Sequence, residues 1–374
     1  MRYWSPSRPS HRQPPAVGIL VANLGTPDAP TASALRRYLR PFLSDPRVIE
    51  LPRWRWLPIL ELFVLTTRPR KSALLYREVW TEGGSPLLHY TRVIADALET
   101  RLRAGLGEHV HTAVGMRYGD PSVAGALRHL AEKGCRRILV FPLYPHYSGT
   151  SGGSVFDAVF EELRRWRWVP ELRTVSSYHD EPGYVAALAA SIRERWDADG
   201  VPERLLLSFH GIPLRYFRAG DPYYCQCQKT GRLLRQALGW PEERTLVTFQ
   251  SLFGREEWLQ PYTAQTVRRL GAQGLERLDV ACPGFAVDCL ETLEEIDGQN
   301  RRFFVEAGGG ELRYLPCLND REDHLELLAG LARRHLAGWE PTPEPEATQE
   351  AATRMERAQA QAERYPSPAL GSAP

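Results

Sequence analysis

The chain has 374 residues, and 47 Lys and Arg against 45 Asp and Glu leave a formal net charge of +2, which excludes the basic footprint of a nucleic-acid binder. Hydrophobic residues at 43% and charged residues at 25% describe a globular protein large enough to bury its cores without disulfides or structural metals. The cysteines Cys135, Cys225, Cys227, Cys282, Cys289 and Cys317 are scattered, the N-terminus lacks the apolar h-region of a signal peptide, and no run approaches the roughly 18 apolar residues of a membrane span, so a reducing cytoplasm is expected.

Residues 1–15 are polar and proline-rich and are expected to be disordered. VGILVANLG (Val17 to Gly25) predicts a buried strand stopped by Gly25 and Pro27, and a helix follows from about Thr31 to Phe42. The insertion at 51–80 carries Leu57 to Leu65, apolar except for Glu61, with Trp54, Arg55, Trp56, Arg68, Arg70 and Lys71 on its flanks. Such a stretch suits a lip that holds a greasy ligand or touches a membrane surface. The alternative is an ordinary buried helix, which periodicity alone favours.

Helical patterns near Leu88 to Ala104 and Val123 to Lys133 alternate with strands at His111 to Gly119 and Arg136 to Pro145. YPHYSGTSGGS (Tyr144 to Ser154) follows the third strand. Its glycines and hydroxyls could form a backbone nest for an anion, although no GxGxxG or GxxxxGKS pattern is present.

The second half reads alike. Strands are predicted at Leu205 to Phe209, Thr245 to Ser251 and Glu276 to Gly284, with helices near Gln228 to Ala237 and Pro261 to Leu270. ILVANLGTP pairs with LLLSFHGIP, and EKGCRRILVFPLYP with AQGLERLDVACPGF, in the same order. The fold class expected is α/β: two similar Rossmann-like, doubly wound lobes, each a parallel sheet flanked by helices, with a cleft between them. The first lobe is placed at 16–175 and the second at 176–337. Residues 338–374 form a disordered tail, with a short helix near Gln349 to Glu363.

Two stretches can carry chemistry. His210 is the last side chain before the break at Gly211 and Pro213, and ligands of open α/β sheets bind outside the carboxyl ends of strands. A loop histidine bonded to its neighbours would look the same, but imidazole also titrates near neutral pH and binds metals. The second stretch is CPGFAVDCLETLEEIDG (Cys282 to Gly298). A helix starting near Val287 would set Asp288, Glu291 and Glu295 on one face, and Leu290, Leu293 and Ile296 towards the core. Carboxylate rows are usually solvated faces, but this one leaves the same sheet edge as His210. A histidine and a carboxylate converging there could bind a first-row divalent metal or relay protons. Cys225 and Cys227, a lone CxC, are poor metal-site arithmetic.

In order along the chain stand GILVANLGTP, EGGSPL, VGMRYGDPS, FPLYPHYSGTSGGS, SFHGIPLRY, GDPYYCQC, FQS with EEWLQP, and CPGFAVDCLETLEEI. Together they resemble the ferrochelatase family, whose members insert ferrous iron into a porphyrin, over nearly all of Val17 to Leu331. The resemblance implies a chelatase-like fold, an essential histidine at His210 and an essential glutamate at Glu291, the two handling metal and porphyrin N–H protons. Glu295 and Asp288 would continue an acidic path. Porphyrin contacts are implied at Tyr223, Trp258, Arg117 and Ser85, and an apolar active-site lip at Leu57 to Leu65. Relatives that act on coproporphyrin carry Tyr where this chain has Leu24, which favours protoporphyrin IX as partner to Fe²⁺. Some relatives hold a [2Fe–2S] cluster in a C-terminal extension. The tail here has no cysteine, so no iron–sulfur cluster is expected. The oligomeric state is left open with a monomer favoured, and a cytoplasmic setting is expected, with possible peripheral contact to the inner membrane face through Leu57 to Leu65. Alternatives are a related tetrapyrrole chelatase acting on coproporphyrin or on a cobalt or sirohydrochlorin substrate, or a non-enzymatic two-lobed ligand-binding protein.

Overall fold

The computed structural model describes residues 3–6, 16–254 and 256–339, with isolated positions at 353, 356, 357, 360 and 364. The remainder of the expected tail helix, and of the N-terminal segment, lies outside the described residues. Four strands, β1 (Ala16–Gly25), β2 (Val110–Tyr118), β3 (Cys135–Pro142) and β4 (Glu171–Thr174), form a parallel sheet in the order β2-β1-β3-β4. Four more, β5 (Arg204–His210), β6 (Thr245–Gln250), β7 (Arg277–Ala281) and β8 (Glu311–Leu315), repeat it as β6-β5-β7-β8.

The two lobes share more than strand order. After β2 and after β6 the chain runs through a cis proline, at Pro121 and Pro261. Each proline carbonyl then accepts a backbone N–H from its own strand, from Met116 at 2.7 Å and from Phe249 at 2.9 Å. A ten-residue helix follows in both cases, Val123–Glu132 and Thr263–Ala272.

β1 and β5 lie inside their sheets and are covered by helices on both faces, so they read as continuous apolar runs rather than alternating ones. Ile19 and Val21 of β1, Phe141 of β3 and Leu205, Leu207 and Phe209 of β5 belong to one buried cluster with the helices Pro86–Leu106, Pro182–Asp199 and Glu322–Leu336. Burying each such side chain stabilises the fold by about 1.5–3 kcal/mol. The lobes therefore share a core beneath the space between their strand tips. The last helix returns to the first lobe: Arg173 donates to the Ala337 carbonyl at 2.8 Å and stacks on Trp339 at 4.2 Å. At the other end, Trp4 pairs with Trp166 as an isolated bridge and packs on its ring at 4.5 Å, an order that the composition of this segment does not reveal.

The lip is three helical pieces, Arg53–Ile59, a π-helical turn Leu60–Val64, and Leu65–Val79. One face is core: Trp56, Leu60 and Leu65 pack with Leu35, Leu39 and Leu43, and the Trp56 indole N–H donates to the Leu43 carbonyl at 2.6 Å. The other face is open, with Trp54 71%, Leu62 66% and Phe63 66% exposed. The buried-helix reading thus describes one face of this stretch, and the other face leaves apolar and aromatic side chains exposed. Among the described residues no helix is long and apolar enough to cross a membrane.

Candidate active site

A cleft of about 900 Å³ opens at the strand tips. Asn23 and Leu24 line it from the end of β1, Ile59, Val64 and Arg68 from the lip, and His210, Gln250, Ser251, Trp258, Glu291 and Glu295 from the second lobe. A deeper pocket of about 160 Å³ shares His210, Tyr144 and Trp258 with it and adds His146, Ser148 and Tyr223.

His210 closes β5. Its Nδ1 lies 2.7 Å from the Gly211 carbonyl, which can only accept. In the neutral ring the proton is therefore on Nδ1, and the lone pair of Nε2 is free for a proton or a metal ion. The turn that holds the ring needs glycine, because a Cβ at 211 would meet the Gln250 carbonyl at 2.8 Å. The same carbonyl accepts the Gly211 N–H at 2.8 Å.

The acidic stretch is wound differently from expectation. Cys289 is extended, the helix starts at Leu290, and Leu293–Asn300 forms a π-helix. Asp288 thus lies outside the helix and leaves the face shared by the other two acids. It is buried, accepting from Thr292 Oγ1 at 3.0 Å, from Asn319 Nδ2 at 2.6 Å and from the Tyr314 hydroxyl. These bonds make it a brace between the helix start and the loop after β8. Glu291 and Glu295, four residues apart, both line the cleft, and Glu294 joins them.

Glu295 is held by Ser251, whose backbone N–H donates to Oε1 at 2.7 Å and whose hydroxyl donates to Oε2. Ser251 has φ of 65°, in the left-handed region, a conformation that costs a non-glycine residue about 1–3 kcal/mol and that clusters at functional sites. Burial pushes the Glu295 carboxyl above its ordinary range, and nearby Glu291 pushes in the same direction. The two Ser251 bonds and His210 pull back without cancelling the rise. Burial raises Glu294 as well, against two hydrogen bonds from Gln299 Nε2 at 2.8 and 2.7 Å. Carboxyls raised in this way can exchange protons closer to neutral pH. Among the described residues, no group of three or more His, Cys, Asp or Glu is arranged to hold a metal ion.

Of the sequence-predicted contacts, Trp258 lines both the cleft and the pocket with His210, and Tyr223 lines the pocket. Arg117 and Ser85 are in neither lining. Arg117 turns to Ser154 Oγ (2.6 Å) and Asp45 Oδ2 (2.7 Å). Burial would raise the Asp45 carboxyl, but bonds from Ser154 and Tyr118 and the Arg117 charge hold it below the ordinary range. Ser85 is buried ahead of the helix Pro86–Leu106. The glycine-rich loop does bind an anion, but the anion belongs to the protein. Asp221 Oδ2 accepts from the Gly149 N–H at 2.8 Å and from Ser148 Oγ at 2.9 Å. Sequence reasoning gave no role to Asn23, Gln250, Ser251 or His146. Among the described residues, the Tyr144 hydroxyl, Trp258 Nε1 and His146 Nδ1 are buried without a partner and belong to the pocket lining, where a ligand or water can satisfy them.

Two parallel-sheet lobes around a cleft lined by an imidazole and carboxylates define the chelatase class of fold. The solved structure of SirB from Bacillus subtilis with Fe3+ superposes with a TM-score of 0.53 at 11% identity, covering 87% of this chain and 98% of that one, a likeness of fold alone. The family model for ferrochelatase matches residues 16–336. A ferrochelatase of Thioalkalivibrio sulfidiphilus is 55% identical over 96% of this chain and 97% of its own length, and one of Nitrosococcus oceani is 54% identical over 86% and 88%. The chain belongs to the ferrochelatase family, lyases that insert ferrous iron into a porphyrin in haem biosynthesis.

Proposed function

We propose that this chain inserts Fe²⁺ into protoporphyrin IX, with His210 and Glu291 serving the metal and the two pyrrole protons. The observation that carries the reading is the cleft itself. The free Nε2 of His210 and the carboxylates of Glu291 and Glu295 line one space of about 900 Å³, a volume that suits a macrocycle, walled in part by apolar lip residues. Metal insertion must strip water from the ion and remove two N–H protons. Neutral imidazole can ligate Fe²⁺ or accept a proton, and carboxylates serve the same two tasks. Leu24, beside Phe42 and Leu87, makes the β1 wall apolar and suits a porphyrin with vinyl rather than carboxyl substituents there. Iron enters as substrate, and the dispersed cysteines are assigned no cluster. Tyr223 and Trp258 contact the ring, and Glu295 passes protons or hydrated iron along the π-helix. Purified protein mixed with protoporphyrin IX and Fe²⁺ or Zn²⁺ is expected to give metalloporphyrin absorbance. Its absence would refute the reading.

Glu295 also makes a pH prediction. The Ser251 hydroxyl stabilises the charged carboxylate, so Ser251→Ala should raise the Glu295 pKa further. The acid limb of kcat/KM should then move to higher pH. An unmoved limb would remove Glu295 from the proton path.

The reading includes a monomer working in the cytoplasm against a membrane surface. Trp54, Leu62 and Phe63 stand exposed on the lip near Arg53, Arg55, Arg70 and Lys71, an aromatic and basic edge suited to an anionic lipid surface. Replacing all three by Ser should lower sedimentation with anionic vesicles several-fold and leave thermal stability near wild type. Unchanged vesicle binding would exclude this face.

A further inference from the structure

Asp221 fills a site that a substrate carboxylate would otherwise seek. The loop Ser148–Gly153 offers the elements of an anion nest, a backbone N–H at Gly149 and a hydroxyl at Ser148, and both are donated to Asp221 Oδ2. The other oxygen of Asp221 accepts the Tyr223 N–H at 3.0 Å. Ser148, Thr150, Ser151 and Tyr223, which touch or flank this carboxylate, line the deep pocket. Asp221 therefore sits directly behind the pocket wall, a fixed negative charge contributed by the second lobe to a loop of the first.

The pocket offers an incoming anion two unpartnered hydrogen-bond donors, the Tyr144 hydroxyl and Trp258 Nε1, but no cation in its lining to offset that charge. Among the described residues, no lysine or arginine lines the deep pocket. Arg47 reaches the loop at Gly149, where Asp221 also lies, and at Gly153, but it stays outside the pocket lining with Nε and Nη2 bonded to Asp157, and Arg117 is committed to Asp45. His146, also in the lining, donates from Nε2 to Thr230, whose hydroxyl is itself given to the His179 carbonyl. Its open Nδ1 is then an acceptor, which gives a carboxylate nothing to bond. By contrast, the wide part of the cleft is lined by Arg68 and Arg215.

We infer that Asp221 is a specificity-determining residue, an internal carboxylate that occupies the nest and admits to the deep pocket only a tetrapyrrole edge free of carboxylates. The inference rests on the reading that the cleft takes a porphyrin. Protoporphyrin IX carries its two propionates on adjacent rings and so has one uncharged edge. Coproporphyrin III carries a propionate on every ring and cannot turn such an edge inward. Like charges repel, and the repulsion between partly buried groups is screened less than that between exposed ones.

The test compares zinc insertion into protoporphyrin IX and coproporphyrin III by wild type, Asp221→Asn, Asp221→Glu and Ser151→Lys. Asp221→Asn removes the charge and keeps an acceptor. It should raise the ratio of kcat/KM for coproporphyrin III over protoporphyrin IX about tenfold. Asp221→Glu keeps the charge and should leave the ratio near wild type. Ser151→Lys brings a cation to the same wall without touching Asp221. It should raise the ratio too, so the inference stays testable if Asp221→Asn does not fold. A ratio within twofold of wild type in a folded Asp221→Asn, or in Ser151→Lys where the first variant fails, would overturn it, as would an equal rise in Asp221→Glu. Failure of wild type to metallate either porphyrin would instead refute the proposed function.

Discussion

His210→Ala is expected to lower turnover at least about a thousandfold while the fold survives, the upper part of the range for loss of a positioned acid–base group. The side chain makes one local hydrogen bond, to the next residue's carbonyl, and is only half-buried, so its removal leaves little hole in the core. What is lost is the free Nε2 lone pair in the cleft. Steady-state metallation beside thermal unfolding checks this. Near-normal kcat in a folded variant would remove His210 from the chemistry, and an unfolded variant would be uninformative about it.

Glu291→Gln is expected to cost about a hundredfold or more in kcat. The replacement keeps shape, and it keeps the backbone carbonyl that accepts from Gln250 Nε2 at 2.7 Å. It removes only the charge and the capacity to carry a proton. It also has a second, oppositely signed signature. The Glu291 charge is one of the causes that raise Glu295, so neutralising it should let the Glu295 pKa fall. The acid limb of the residual activity should then move to lower pH, opposite to the shift expected for Ser251→Ala. A variant with lowered kcat but an unmoved limb would leave Glu291 a role in metal binding and deny its coupling to Glu295.

The legibility of the fold follows burial. β1 and β5 were readable because strands covered on both faces are apolar throughout, and their Gly-x-Pro stops marked the tips where His210 sits. β4 and β8 were not read as strands. They are edge strands of four and five residues, ELRT and ELRYL, whose charged positions carry no strong pattern. The acidic face was half legible. Counting 100° per residue assumes an α-helix, but the chain stays extended through Cys289 and then winds as a π-helix. Glu291 and Glu295 survive that change because both still line the cleft. Asp288 does not, because it precedes the first turn and is claimed by Tyr314 and Asn319. Arg117 stands outside both linings for a related reason. Its position at the end of β2 is near the cleft, but Asp45, far away in sequence, draws its guanidinium aside. Partners so remote leave no local signal. The composition of the glycine-rich loop allows an anion nest without requiring one, and only the structure shows that Asp221 accepts its hydrogen bonds.

The most direct measurement is a structure with a porphyrin bound. The macrocycle is expected in the cleft with its centre within reach of both His210 Nε2 and the Glu291 carboxylate, and with an uncharged edge towards Ser148 and Thr150. A macrocycle seated elsewhere, with neither His210 nor Glu291 near its pyrrole nitrogens, would contradict the roles assigned to both.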